Sequence, residues 1–146
     1  AQMMCRVRKE FVADKAAIPQ VHDFVRSTLE ANGVAGTSRD DLVLACDEAA
    51  TNIVEHAFAG RRSMSKSDPH FILALNCRKN RVTATFFDSG AKFDPRAVAA
   101  PDIRKNLAGE RRGGYGVYLI RRLVDKIVYS ARRRLNITRL VKEVSG

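Results

Sequence analysis

Residues 40–58 read DDLVLACDEAATNIVEHAF, and this stretch decides how the rest of the chain is arranged. Leu42, Ala45, Cys46, Ala49, Ala50, Ile53 and Ala57 recur at steps of three and four residues, the period of a helix with one apolar face. Thr37 or Ser38 is placed to cap its start, and acids follow in the first turn. Glu48, Asn52 and His56 are four apart, so they form a row along one edge of the apolar stripe. A row at that edge is mounted on the core and still able to face a ligand. A carboxylate and a carboxamide one turn apart can hold a hard cation or a water through oxygen atoms. The plainer reading is a polar helix flank, and E-x-x-x-N alone does not decide between the two.

Working outward, Met3–Phe11 alternates and is expected to be a strand. Ile18–Ala31 follows as a helix with Val21, Phe24, Val25 and Leu29 apolar, ended by Asn32-Gly33. The central helix runs to near Gly60, and Arg61–Pro69 is polar and turn-rich, a loop. His70–Arg78 and Arg81–Asp88 alternate as two strands joined tightly at Lys79-Asn80, a hairpin. Ser89–Gly114 reads mainly as a mobile segment, with a short helical turn around Arg96–Ala100. Tyr115–Val124 is a helix, and Lys126–Arg133 and Asn136–Glu143 are strands of a second hairpin. The expected fold is α+β in a single domain over residues 1–146. It is a two-layer sandwich of a mostly antiparallel sheet with helices on one face.

A chain of 146 residues is long enough for a real core, and no apolar run in it is long enough to span a bilayer. AQMMCRVRKE carries charges where an export signal needs an apolar centre, so no export is expected. Cys5, Cys46 and Cys77 are odd in number and widely separated. They suggest neither a metal motif nor a disulfide framework, and they suit a reducing cytoplasm. The net charge of +10 favours acidic partners. Nucleic acid is not expected as the direct partner, because no stacking aromatics, helix-turn-helix or zinc spacing accompany the arginines.

Two further stretches carry chemistry. In F-D-S-G-A-K-F-D-P, Asp88 closes an apolar strand and Gly90 follows at once. A carboxylate at that mouth can accept a hydrogen bond from an exocyclic amine, and Gly90 lets a flat base come close. A plain D-S-G turn is the rival. In R-R-G-G-Y-G-V-Y-L-I, glycines open a helix just after Arg111 and Arg112. Free N–H groups at a helix start, with arginines beside them, suit phosphate. A glycine-rich joint with solvated arginines is the rival, and neither the Rossmann fingerprint nor the P-loop is met.

In this order, the three stretches resemble the N, G1 and G2 boxes of the GHKL (Bergerat-fold) ATPases. Within that superfamily they are most similar to the anti-sigma-factor serine kinases of the RsbW and SpoIIAB type. The resemblance rests on DEAATNIVEHAF, DSGAKFDP and GGYGVYLIRRLVD, with NITRLVK similar to the family's last strand. It implies ATP or ADP with Mg²⁺ as cofactors. Glu48 would be the general base on a protein serine hydroxyl, Asn52 would bind Mg²⁺ and Asp88 the adenine amine. Gly90, Gly114 and Gly116 would shape the pocket. Phe93, Arg112, Tyr115 and Val117 would belong to the same nucleotide site, and residues 95–113 would form a lid. His56 matches the family but is expected to cap or pack the helix end. The implied function is to hold a sigma factor and phosphorylate an anti-anti-sigma (STAS) protein, as a homodimer in the cytoplasm. The alternatives are a partner-switching protein without significant kinase activity, or the ATPase domain of a two-component histidine kinase. One departure stands out: Arg134-Leu135 replace the Gly-Thr that often precedes the last strand's Asn. The threonine that supports the adenine contact is therefore missing.

Overall fold

The strands and helices follow one another in the expected order. The computed structural model describes residues 4–57, 69–90 and 115–144. Its elements are β1 (Met4–Val12), α1 (Ala17–Ala31), α2 (Gly36–Asn52), β2 (His70–Arg78), β3 (Arg81–Asp88), α3 (Tyr115–Leu123), β4 (Lys126–Arg132) and β5 (Leu135–Glu143). The strands form one sheet in the order β1-β2-β3-β5-β4, and every neighbouring pair is antiparallel. The expected turn at 96–100, the lid at 95–113 and most of the loop at 61–69 lie outside the described residues.

Alternation decides which side of the sheet is buried. Phe71, Leu73, Leu75 and Cys77 of β2 and Val82, Ala84 and Phe86 of β3 all point into one layer. Phe11, Phe71 and Phe86 carry that layer across three strands, with ring centroids 5.4 and 6.4 Å apart. α1 closes over them through Val21, Val25 and Leu29, one turn apart. α2 adds Leu42, Ala45, Cys46, Ala49 and Ala50, the stripe read from the sequence. Its small side chains allow it to lie close to α1 and α3, which flank it. Cys46 is fully buried, and that burial pushes its thiol far above the ordinary range.

Three expectations are corrected. α2 begins at Gly36, with Ala35 at the cap position and no side-chain cap bond, so Thr37 and Ser38 lie inside the first turn rather than before it. Gly36 takes φ 65, a left-handed entry that starts the helix four residues before the expected Asp40. At its other end α2 widens into a π-turn over Ile53–Ala57 instead of continuing regularly. Finally, Cys5 and Cys77 form a disulfide. They are partners in the β1–β2 register, with Cα atoms 4.6 Å apart, close enough to be bridged. The argument for a reducing compartment drawn from three separate thiols loses that support. Among the described residues, no helix is long and apolar enough to cross a membrane.

Candidate functional site

Asp88 ends β3 on the buried side of the sheet and is only 5% exposed. Its register neighbour on β2 is Phe71, and its neighbour on β5 is Asn136. The acid therefore has an aromatic ring's strand on one side and an amide on the other. The Asn136 Nδ2 group donates to Asp88 Oδ1 at 3.0 Å, and the Gly90 N–H donates to the same oxygen at 2.9 Å. Asn136 Nδ2 also donates to the Gly90 carbonyl at 3.1 Å, and the Tyr129 hydroxyl donates to Asn136 Oδ1 at 3.0 Å. Asn136 and Gly90 thus hold each other and hold the acid. Burial raises the Asp88 carboxyl above its usual value, and the bonds from Asn136 and Gly90 pull it partly back.

Both donors converge on Oδ1, so Oδ2 is the oxygen left to meet a ligand. A carboxylate pinned this way at the mouth of the core fits a donor such as an exocyclic amine. Asn136 and Tyr129 were absent from the expected site. The replacement of Gly-Thr by Arg134-Leu135 drew attention to a missing support, yet the strand that follows supplies one through Asn136 itself.

Glu48 and Asn52 lie in the last two turns of α2, both half-buried. Asp41, near the start of α2, is 3.6 Å from Lys142 Nζ at the far end of β5 from Asn136. A helix rises about 1.5 Å per residue, so Asn52 lies about 16 Å further along the axis from that anchored end. The Glu48 carboxyl is raised first by burial, then by Asp47 and then by Glu55. Asp47 faces α1, where its Oδ2 meets His22 Nδ1 at 2.8 Å, while its Oδ1 is buried without a hydrogen-bond partner among the described residues. The π-turn begins directly after Asn52. Such bulges recur at functional sites because they re-aim the residues around them.

The remaining expected residues are placed less fully. The backbone of Tyr115, Gly116 and Val117 forms the first turn of α3, as read from the sequence. Phe93, Arg111, Arg112 and Gly114 lie outside the described residues, as does the side chain of His56. Among the described residues no three His, Cys, Asp or Glu side chains gather as a metal cage. A magnesium ion carried by nucleotide phosphates needs no such cage. Asn52 offers one carboxamide oxygen, which suits a hard cation that keeps its other oxygens from phosphate and water.

An antiparallel sheet layered on one side by helices, with a buried acid closing its middle strand, has the architecture of the GHKL ATPases. The family profile described as histidine kinase-like ATPase domain matches residues 11–142, and the chain belongs to that family. Among curated relatives, the serine/threonine-protein kinase BtrW of Bordetella bronchiseptica is 33% identical over 95 residues, 64% of this chain and 63% of its own. The serine-protein kinase RsbW of Bacillus thuringiensis is 34% identical over 100 residues, 65% of this chain and 58% of its own. The matched region is therefore about three fifths of those relatives' length. Two solved structures share the fold. The SiaB–SiaC complex of Pseudomonas aeruginosa matches with a TM-score of 0.67 and 17% identity, over 96% of this chain and 90% of that one. The RsbU and RsbW domains of a Mycobacterium tuberculosis protein match with a TM-score of 0.66 and 17% identity, over 95% and 32%.

Proposed function

We propose that this chain is an ATP-dependent protein serine kinase that also holds a sigma factor, with a STAS-domain anti-anti-sigma protein as substrate. The observation that carries the reading is the Asp88–Gly90–Asn136 cluster, whose spare carboxylate oxygen suits the amine of adenine. Identity of about a third to relatives named as serine kinases supports the reaction type. Bound Mg-ATP supplies the transferable phosphoryl group. Asp88 orients the base, Asn52 offers an oxygen to the metal, and the glycine-opened start of α3 offers backbone N–H groups to phosphate. Glu48 accepts the proton of the attacking serine hydroxyl, and burial with Asp47 and Glu55 nearby raises its carboxyl in the direction that suits a base. Phe93, Arg112, Gly114, Tyr115, Gly116 and Val117 complete the nucleotide site in this proposal, with residues 95–113 as its lid.

A homodimer and a cytoplasmic location belong to the same proposal. Among the described strands β1 lies at the edge of the sheet, and such an edge suits a two-fold contact. The test is phosphorylation of a purified STAS-domain protein, incubated with this chain and Mg-ATP and read by mass spectrometry for phosphoserine. Phosphoserine that forms with this chain and not with its Glu48→Ala variant supports the kinase. Nucleotide binding without phosphoserine leaves the partner-switching reading in its place. Phosphohistidine on a partner helix pair points instead to a histidine-kinase ATPase domain.

A further inference from the structure

The opposite end of the sheet carries a feature that the nucleotide site does not use. There the outward row reads Met4, Arg78, Arg81 and Glu143 across β1, β2, β3 and β5. These residues, with Lys79 of the turn and Asn76 one row in, line an open basin of about 710 Å³. That volume falls within the roughly 300–1,000 Å³ usual for ligand clefts. Three cations fall within four residues, and Arg78 and Arg81 stand directly opposite each other in the register. Like charges so placed destabilise a strand pair. Arg81 is relieved by Glu143 at 2.8 Å, whereas Arg78 and Lys79 make no ion pair among the described residues. Met4, on the rim, is 69% exposed, the most open large apolar side chain described.

We infer that this basin is a docking site for an acidic segment of a partner protein, one carrying an apolar residue beside its carboxylates. Arg78 and Lys79, which make no ion pair among the described residues, fit carboxylates, and Met4 fits the apolar side chain. A nucleic acid strand fits less well. Among the described residues no aromatic lines the basin to stack a base, and the Glu143 carboxylate in the same row repels phosphate. The site is also separate from the nucleotide end. Arg81 and Asp88 begin and end β3, which places them about 24 Å apart at 3.4 Å per residue. An occupant here leaves Asp88 open, so nucleotide and partner bind together. The inference does not depend on kinase activity.

The test uses the whole chain and a short fluorescein-labelled peptide of alternating glutamate and leucine, followed by anisotropy at near-physiological salt. Arg78→Glu with Lys79→Glu is compared with Arg132→Glu with Arg133→Glu, which changes net charge equally at the other end of the sheet. All four positions are exposed, so both variants are expected to fold, and circular dichroism checks that they do. The basin variant is expected to bind the peptide about tenfold more weakly or worse, the control variant within about twofold of wild type. Saturating ADP is expected to leave peptide affinity unchanged. Equal losses in the two variants reduce the effect to net charge and overturn the inference. Displacement by ADP, or no peptide binding by wild type, overturns it as well. So does tighter binding of a short single-stranded oligonucleotide that the basin variant alone loses, which makes the site a nucleic-acid one.

Discussion

Replacing Asp88 by Asn changes one atom of the site and leaves its scaffold intact. Both donors that hold the acid, the Gly90 N–H and Asn136 Nδ2, go to Oδ1. An asparagine keeps an oxygen there and accepts both bonds. Its amide nitrogen takes the place of Oδ2 and turns a donor toward the ligand's own amine. The nucleotide thus loses a hydrogen bond to a charged group, worth about 1.5–3 kcal/mol. At about 1.4 kcal/mol per decade, affinity should fall roughly ten- to a hundredfold. Stability should not fall with it, because burial already raises the Asp88 carboxyl and the amide carries no charge to desolvate. Calorimetric titration with ADP gives the affinity, and a urea melt without ligand gives the stability. Unchanged ADP affinity in a folded Asp88→Asn protein would refute the assignment of Asp88 to the base.

Glu48→Ala should leave ADP affinity within about twofold while single-turnover phosphate transfer falls by about a hundredfold or more, the scale of a positioned base; transfer at the wild-type rate would exclude Glu48. Because the Glu48 carboxyl is raised in the folded state, its ionisation penalises folding above its ordinary value, near pH 4.5, and not below it. The stability of Glu48→Gln relative to wild type should therefore climb as pH rises through that window and then level, and urea melts across it that show a flat or falling difference would contradict this. Asn136→Ala removes the donor shared by Asp88 and Gly90 and the amide oxygen that accepts from the Tyr129 hydroxyl, so it should cost about 1–3 kcal/mol in a urea melt and also weaken ADP; a variant as stable as wild type would show that the cluster does not hold the strand ends. Reducing the Cys5–Cys77 disulfide should lower stability by about 2–4 kcal/mol, and an unchanged urea midpoint in dithiothreitol would count against it.

β2 and β3 were the most legible strands because alternation, a local signal, decides which of their residues are buried. β2 and β3 begin and end where the sequence places them, β4 and β5 differ by one residue at an end, and β1 runs one residue past Phe11 while its expected start, Met3, lies outside the described residues. The buried stripe of α2 was legible for the same reason, since a three-and-four spacing survives whatever packs against it. Its ends were not. A serine or threonine before an acidic turn is a common cap, yet a left-handed Gly36 starts the helix first. The π-turn after Asn52 leaves no mark in the periodicity because it inserts width rather than a breaking residue. Pairings over long separations were illegible too. Cys5 meets Cys77 across 72 residues and Asp88 meets Asn136 across 48, and each contact exists only once the sheet's register is set. Asn136 lay within a stretch whose family likeness was plain, but nothing local distinguishes a strand asparagine that caps an acid from one that faces water.

In the function proposed here Asp88 and Glu48 take different roles, and their surroundings suit each to its own. Both are raised by burial, so burial alone cannot tell them apart. Asp88 is opposed by two donors, which favour its charged form and fix one oxygen in place. A carboxylate stabilised in that way stays an acceptor and holds a geometry, as base recognition requires. Glu48 has the reverse setting. After burial, what acts on it is Asp47 beside it and Glu55 seven residues on, both of which disfavour its charge. An acid surrounded so takes up a proton readily, which a general base must do and a fixed recognition group must not. His22 bears on this balance, since its ring meets Asp47 Oδ2, while Oδ1 has no hydrogen-bond partner among the described residues. The contrast gives each acid a distinct failure. Losing Asp88's charge should strip affinity and spare the transfer step at saturating nucleotide, while losing Glu48's should strip transfer and spare affinity. Exchanging those two outcomes would mean that the roles, though not the fold, had been assigned the wrong way round.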